Sequence, residues 1–486
     1  MVGSIAAPRL AALVDGFDRA PAYAGLADGL RLLIADGRVG LDLRLPSERD
    51  LSVALGVSRT TVTRAYAGLV ESGFAQARQG SGTYTRLPGG RRRSLDRTLT
   101  PTTTGDDVID LNCAAHSALT GVGAAYAEAA QELPRYFGGH GYFPTGLPAL
   151  QEAVAASYDA RGLPTDPEQI MVVPGSLSAL AVVAQALVGR GDRVLVESPG
   201  YPNAHEALRR SGARRVGLPM DVDGWDLDAV ARLVRETRPQ LAYLIPDFQN
   251  PTGNLMPDAE REQLARVLRR SGTVPVVDEA HQALVLDGTS MPRPFAAFAP
   301  ETVTLGSTSK SFWGGLRIGW VRCPDGVLER LMDARVALDL GSPVLEQLVA
   351  ARLLARREEL WAAQRQRLRE QRDVLAEALR TELPDWSFRL PRGGLSLWCE
   401  LPSGRGVGAG ATAVVREAER RGLLVSPGSV FAVDGGLDSF VRVPFTRPGD
   451  ELRTAVERLR DAWSAVGERT TADPRGGTTR SRVMVA

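Results

Sequence analysis

From residue 109 onward, short apolar runs alternate with longer amphipathic stretches, and few folds accept that pattern. The runs at 170–173, 194–196, 241–245, 274–277 and 303–305 have the unbroken apolar character of strands buried on both faces. Amphipathic stretches, such as 179–188 and 260–270, separate them. Strand and helix in alternation build a mostly parallel α/β sheet with helices on both sides. A charged helical region follows at 345–383, with a break in it, and leads to a smaller α+β unit ending near Trp463.

Within that pattern one residue is singular. Lys310 is the only lysine in 486 residues, the other 57 of the 58 basic residues being arginine. A guanidinium can replace an ammonium in salt bridges, phosphate contacts and solvated surface. It cannot trap a carbonyl, because it stays protonated and forms no Schiff base. Chance survival on a solvated face would explain an isolated lysine. This one ends the run Ser307-Thr308-Ser309-Lys310, with Arg317 close behind.

Other polar motifs fall at the carboxyl ends of the expected strands, where open α/β sheets bind ligands. Gly175-Ser176-Leu177-Ser178 opens a helix and suits a phosphate on helix N-terminal amides, although an ordinary helix cap explains it equally well. Ser198-Pro199-Gly200-Tyr201 presents an aromatic ring, Asp247-Phe248-Gln249-Asn250-Pro251 follows a third strand, and Asp278-Glu279-Ala280-His281 ends a fourth.

The first hundred residues have a different character. Residues 1–98 carry 14 arginines against 9 acidic residues, while the remainder carries 44 basic against 48 acidic. A basic front on a slightly acidic body points to an anionic partner for the front alone. Residues 23–35 have helical spacing of apolar side chains. Ser47 caps a helix reaching Leu55, Gly56 makes a turn, and Ser58 caps a second helix through Arg59, Thr60, Thr61 and Arg64 to Ser72. That is a helix-turn-helix, and residues 75–85 read as a two-stranded wing with Gly80, Ser81 and Gly82 at its tip. Cys113, Cys323 and Cys399 are widely spaced, which fits a reducing cytoplasm and offers no metal site. No charged-then-apolar leader and no apolar run of about 18 residues is seen, so neither export nor membrane spanning is expected.

Leu-Pro-Ser-Glu-Arg from Leu45, Leu-Gly-Val-Ser-Arg-Thr-Thr-Val from Leu55 and Arg-Gln-Gly-Ser-Gly-Thr-Tyr from Arg78 together resemble the GntR-type winged helix. The resemblance implies that Ser58, Arg59, Thr60, Thr61 and Arg64 open the recognition helix toward double-stranded operator DNA. It further implies that Arg49 holds a phosphate and that Gly80, Ser81 and Gly82 approach the minor groove. Thr63 departs from the arginine many such domains carry there.

The motifs around Lys310 resemble, in order and spacing, the class I/II aminotransferases of fold type I, which use pyridoxal 5'-phosphate. By that resemblance Lys310 holds the cofactor as a Schiff base, Asp278 pairs with the pyridine nitrogen, Asn250 bonds the ring 3'-oxygen and Tyr201 stacks on the ring. Gly175, Ser176, Leu177, Ser307 and Arg317 would bind the phosphate. Tyr142 would be lent across a dimer interface to the partner's phosphate, and Arg442 would grip a ligand carboxylate. His281 stands where most of these enzymes carry a tyrosine. A neutral imidazole donating to the 3'-oxygen and a mere space-filler are both open at this point.

A GntR-type winged helix, a linker and an aminotransferase-like domain make the layout of the MocR family. The expected organisation is an extension at 1–20, the winged helix at 21–86, a linker at 87–108, the cofactor-binding and dimerisation domain at 109–467, and a disordered tail at 468–486. The resemblance implies a cytoplasmic, head-to-tail, domain-swapped homodimer that regulates transcription. It would sense pyridoxal phosphate, together with a small amine or amino acid, without productive turnover. The alternative is an active aminotransferase carrying a DNA-binding domain.

Overall fold

The structure, a computed structural model, describes residues 4–35, 39, 43–78, 80–86, 108–221, 223–402 and 410–472. The expected linker, apart from its last residue, and the end of the expected tail lie outside the described residues. The chain forms two units: one spans Met1–Thr100 and also takes Ala118–Glu132, and the other is Pro101–Ser117 with Leu133–Ala486.

In the first unit, helices Ala7–Leu13, Ala22–Ala35, Glu48–Leu55 and Arg59–Glu71 precede an antiparallel hairpin of Ala75–Arg78 and Gly82–Thr85. The two helices of the helix-turn-helix start where hydroxyls cap them. Ser47 Oγ accepts from the Asp50 N–H at 3.1 Å and Ser58 Oγ from the Thr61 N–H at 3.1 Å. Gly56 takes φ 63° between them, a left-handed turn that glycine enters without a Cβ penalty. Leu10, Leu26, Leu30, Leu51, Val62 and Leu69 are buried together, so the apolar stripe of each helix meets the others in one core. The polar starts of the last two helices stay outside it.

The second unit is built on an eight-stranded sheet in the order Ile170–Val173, Gly319–Arg322, Val303–Ser307, Val274–Asp278, Leu241–Leu244, Arg193–Ser198, Arg214–Asp221, Gly224–Trp225. The strands from Val303–Ser307 to Arg214–Asp221 are parallel. Gly319–Arg322 runs antiparallel between its two neighbours. One sheet face packs on Ala179, Leu180, Val183 and Leu187, and the other on Val230, Val234, Leu264 and Leu268. Covering on both faces explains the unbroken apolar runs. Helices Val344–Ala355 and Arg357–Glu382 meet at Arg356, which is the break in the long charged region. A four-stranded antiparallel sheet, Ser387–Phe388, Ser396–Glu400, Phe440–Pro444 and Ser426–Pro427, forms the smaller subdomain. Ile109–Asp110 pairs in parallel with Leu423–Leu424, so the first strand of this unit is stitched to its last third.

Candidate functional site

The parallel strands end on one side of the sheet, and the polar motifs at those ends converge there. At one corner, helix Ser176–Leu187 begins from Gly175, whose φ is 95°. A Cβ on Gly175 would meet the Arg317 guanidinium at 2.9 Å, so only glycine lets that cation lie over the helix start. Arg317 donates to Pro174 O at 2.9 Å and reaches the Ser309 hydroxyl at 3.5 Å. Ser307 Oγ accepts from the Ser309 N–H at 3.1 Å. Free amides at a helix start, a guanidinium and hydroxyls together form a cup for a dianion. Ser176 and Leu177 supply the first helical residues of that cup.

Beside it stands the lysine. Lys310 is half-buried and its Nζ donates to Ala114 O at 2.8 Å. Burial pulls its amine below the usual lysine value, and the Arg442 and Arg317 cations add to the effect. Burial is the larger cause. Asp278 ends its strand buried, with Oδ1 accepting from the Ala280 N–H and Oδ2 from the Tyr243 hydroxyl, each at 2.9 Å. Burial raises the Asp278 carboxyl above its ordinary value, and those two donors oppose the rise.

Asn250 and Arg442 meet on the far side. Arg442 is fully buried on the smaller subdomain's sheet and donates to Asn250 Oδ1 at 3.2 Å and to Asn112 O. Its guanidinium lies 5.0 Å from the Phe431 ring centroid, and its Nε has no partner among the described residues. Among the described residues it faces no carboxylate, and burial pulls its pKa down to about 10. Tyr201 is partly buried, its hydroxyl accepting from Asn203 at 3.2 Å.

His281 sits beside a backbone carbonyl. Its Nδ1 is 2.9 Å from Phe248 O, and burial pulls its pKa to about 4. A neutral ring beside a carbonyl oxygen must carry its hydrogen on Nδ1. Nε2 then has only a lone pair, so it accepts a hydrogen bond and donates none. Tyr142 does not join this cluster within its own chain: it is exposed and its ring stacks on His140 at 5.6 Å.

A second layer escaped sequence reasoning. Glu197 is buried and takes three donors: Trp225 Nε1 at 2.9 Å, the Ile245 N–H at 3.2 Å and Gln249 Nε2 at 3.0 Å. Gln249 also donates to Pro199 O at 2.8 Å, so one carboxyl ties the loop bearing Tyr201 to the loop bearing Asn250. Burial pushes Glu197 up to about 7. Asp247 pairs with buried Arg261 at 2.5 Å and anchors the second loop instead of facing the site. The signals were present: an acid closing an apolar strand, and a tyrosine, Tyr243, inside one.

In the first unit Arg49, Ser58, Arg59, Thr60 and Arg64 are exposed at the two helix starts, and Thr61 is partly so. Arg59 lies 3.5 Å from Glu48, and the Thr63 hydroxyl donates to the same carboxylate at 2.9 Å. Arg64 stacks over the Tyr23 ring at 4.0 Å, which gives it a packing role. Gly80 and Gly82 hold φ of 75° and 106° at the hairpin tip, with Ser81 between them. The Arg44 side chain passes 3.0 Å from where a Gly82 Cβ would stand, and it adds a cation at the wing that no motif had announced.

Comparison with known proteins agrees with both halves. Residues 110–459 match the aminotransferase class I and II family, and residues 22–85 match the gntR family of bacterial regulatory proteins. A probable rhizopine catabolism regulatory protein, MocR, of Rhizobium meliloti is 30% identical over 75% of this chain and 78% of its own length. The HTH-type transcriptional regulator YisV of Bacillus subtilis is 28% identical over 87% of this chain and 92% of its own. The crystal structure of LysN, an α-aminoadipate aminotransferase of Thermus thermophilus, complexed with N-(5'-phosphopyridoxyl)-L-leucine, superposes with a TM-score of 0.67 at 30% identity. It covers 74% of this chain and 93% of that one. A DNA-reading region of the gntR type thus precedes an aminotransferase domain, and the chain belongs to the class I and II aminotransferase family as one of its MocR-type transcriptional regulators.

Proposed function

We propose that the second unit binds pyridoxal phosphate through Lys310 and that its occupancy, with an amino-acid or amine ligand, sets how the first unit engages operator DNA. One observation carries this reading: the chain's only amine side chain sits half-buried among Asp278, Arg317 and Arg442 at the strand ends. The residues fit the cofactor. Gly175 leaves room for Arg317 over a helix start, which suits a phosphate. Asp278 is a buried acid whose raised pKa a cationic ring nitrogen would bring back down. When bound, the group supplies an aldehyde that condenses with amines and a ring that draws electrons from the bond formed.

The chain's own residues then have separate tasks. Burial keeps a larger share of Lys310 neutral and therefore nucleophilic. Tyr243 fixes the Asp278 carboxylate, and Tyr201 offers a ring face for stacking. Asn250 supports the 3'-oxygen, where His281 offers no hydrogen of its own. Arg442, buried and, among the described residues, without an acidic partner and with Nε unused, is a place for a ligand carboxylate.

A homodimer is supported by exposed apolar side chains. Phe137, Tyr142, Val336, Leu338 and Leu340 are all exposed, and Gly341 lies against the Phe143 backbone, which brings the two groups together. Covering by a second copy would bury them and could bring Tyr142 to the partner's phosphate. A cytoplasmic setting suits a DNA reader, and no helix among the described residues is long and apolar enough to cross a membrane.

The test is reconstitution of the full chain with pyridoxal phosphate. Wild type gains a visible absorption band that hydroxylamine discharges, Lys310→Ala stays colourless, and DNA affinity shifts when the band forms. A colourless wild type sinks the proposal. A second reading, steady transamination, is favoured by the assembled set of Lys310, Asp278, Asn250 and Arg442. Repeated turnover of an amino acid with a 2-oxo acid would select it.

A further inference from the structure

Residues 112–117 touch both ends of the site and then leave it. The start of this strap is tied to the smaller subdomain. Ile109 and Asp110 pair with Leu423 and Leu424, Asn112 Oδ1 accepts from the Ser426 hydroxyl at 2.9 Å, and Asn112 O accepts from Arg442. Its middle is tied to the lysine. Ala114 O accepts from Lys310 Nζ, and His116 Nε2 lies 2.8 Å from the Lys310 carbonyl oxygen. At Ala118 the chain passes into the unit that contains the helix-turn-helix.

Both contacts that hold the strap to Lys310 have two settings. His116 is 5% exposed, and its Nδ1 lies 2.7 Å from Ser117 O while Nε2 faces Lys310 O. A neutral ring has one hydrogen for two carbonyls, so it grips either Lys310 or Ser117. Burial favours that neutral ring. The Ala114 contact is set by chemistry. A free amine at Lys310 has hydrogens to donate. Condensation with an aldehyde forms a C=N bond, and the carbonyl oxygen leaves as water with both hydrogens of the neutral amine. Nζ then keeps neither amine hydrogen and is held to its new carbon, so the tie to Ala114 O that the free amine makes is not kept.

We propose that the strap at 112–117 carries the state of Lys310 to the DNA-reading unit, with His116 as the positioning residue that makes the strap follow the lysine. Loading of Lys310 removes the Ala114 tie and shifts the balance between the two His116 grips, and the covalent path through Ser117 delivers the change to residues 118–132. Coupling of this kind needs an element with two arrangements that both sites bias, and the strap supplies one. The inference rests on pyridoxal phosphate being held by Lys310.

The experiment uses the full chain, pyridoxal phosphate and a DNA duplex from the promoter of its own gene. Visible absorption reports loading and fluorescence anisotropy reports DNA affinity. Wild type should change affinity by about 5-fold or more on loading, the lower end of common allosteric couplings. H116L should gain the same band yet bind DNA equally before and after loading. H116Q and H116N separate the two grips: glutamine can reach Lys310 O as Nε2 does, asparagine can reach Ser117 O as Nδ1 does, and only H116Q should keep the coupling. These two decide the matter if H116L fails to fold. An undiminished affinity change in H116L or H116N overturns the inference while leaving the cofactor reading intact. A wild type that never gains the band overturns both.

Discussion

Glu197 offers a test of how the second layer is held. It sits 1% exposed among three donors, with burial setting its carboxyl at about 7 against an ordinary 4.5. Burial favours the protonated form, so the folded protein keeps a proton that the unfolded chain has released between those two values. The stability this contributes is fully present below pH about 4.5 and is lost as pH rises through about 7, because the native state binds more protons across that window. Glu197→Gln keeps the shape and does not titrate, so subtracting its stability from that of wild type isolates the carboxyl. The gap should move against wild type by about 2–3 kcal/mol between pH 5 and pH 8. All seven tryptophans fall between Trp225 and Trp463, so tryptophan fluorescence during urea unfolding follows the second unit alone. A gap flat to within about 0.5 kcal/mol would mean that three donors solvate the carboxylate as well as water does, and the argument from burial would fail.

Tyr243→Phe leaves Asp278 Oδ2 without its donor, a loss of about 1–3 kcal/mol, and the visible band should decay faster on dilution; an unchanged rate would deny the tyrosine its positioning role. Arg442→Met should leave urea stability of the second unit within about 1 kcal/mol, because no acidic partner is orphaned. The same variant should lose any response to amino acids while keeping that to simple amines, read by DNA anisotropy. Arg49→Ala should lower the salt slope of DNA binding by about 1, since its guanidinium would neutralise one phosphate. Arg64→Ala should instead cost about 0.5–1 kcal/mol of stability through the lost Tyr23 contact, with the salt slope nearly unchanged.

The parts of the fold that depend on local pattern were legible. Ser47, Gly56 and Ser58 mark the helix-turn-helix because caps and a left-handed turn are chosen by single residues. Strands buried on both faces announced themselves as unbroken apolar runs. Arg214–Asp221 did not, because it opens with two arginines and pairs near the sheet edge, where polar side chains are tolerated. Gly319–Arg322 was missed because four residues between the Gly314-Gly315 turn and Pro324 carry no period. At the site, composition singled out Lys310, a strand-end motif singled out Asp278, and the family resemblance pointed to Arg442. Motif spacing could not announce Ala114, which takes part through a backbone oxygen, or His116, whose link to the site is the Lys310 carbonyl, 194 residues away in sequence. The His281 tautomer was equally out of reach, since it depends on where Phe248 O lies.

Gene-level modularity looks simple in this chain, with a reader in front and an effector domain behind. Its structure is interleaved. Residues 118–132 group with the first unit although the second begins before them and resumes after them. A chimera cut in the linker would therefore transplant the helix-turn-helix and leave behind a segment that belongs with it. Carrying over the whole first unit between such regulators takes two grafts, the front domain and residues 118–132. The join at Ser117 is one of three places where the chain crosses between the units, and it is the one reached directly from the strap that holds the lysine.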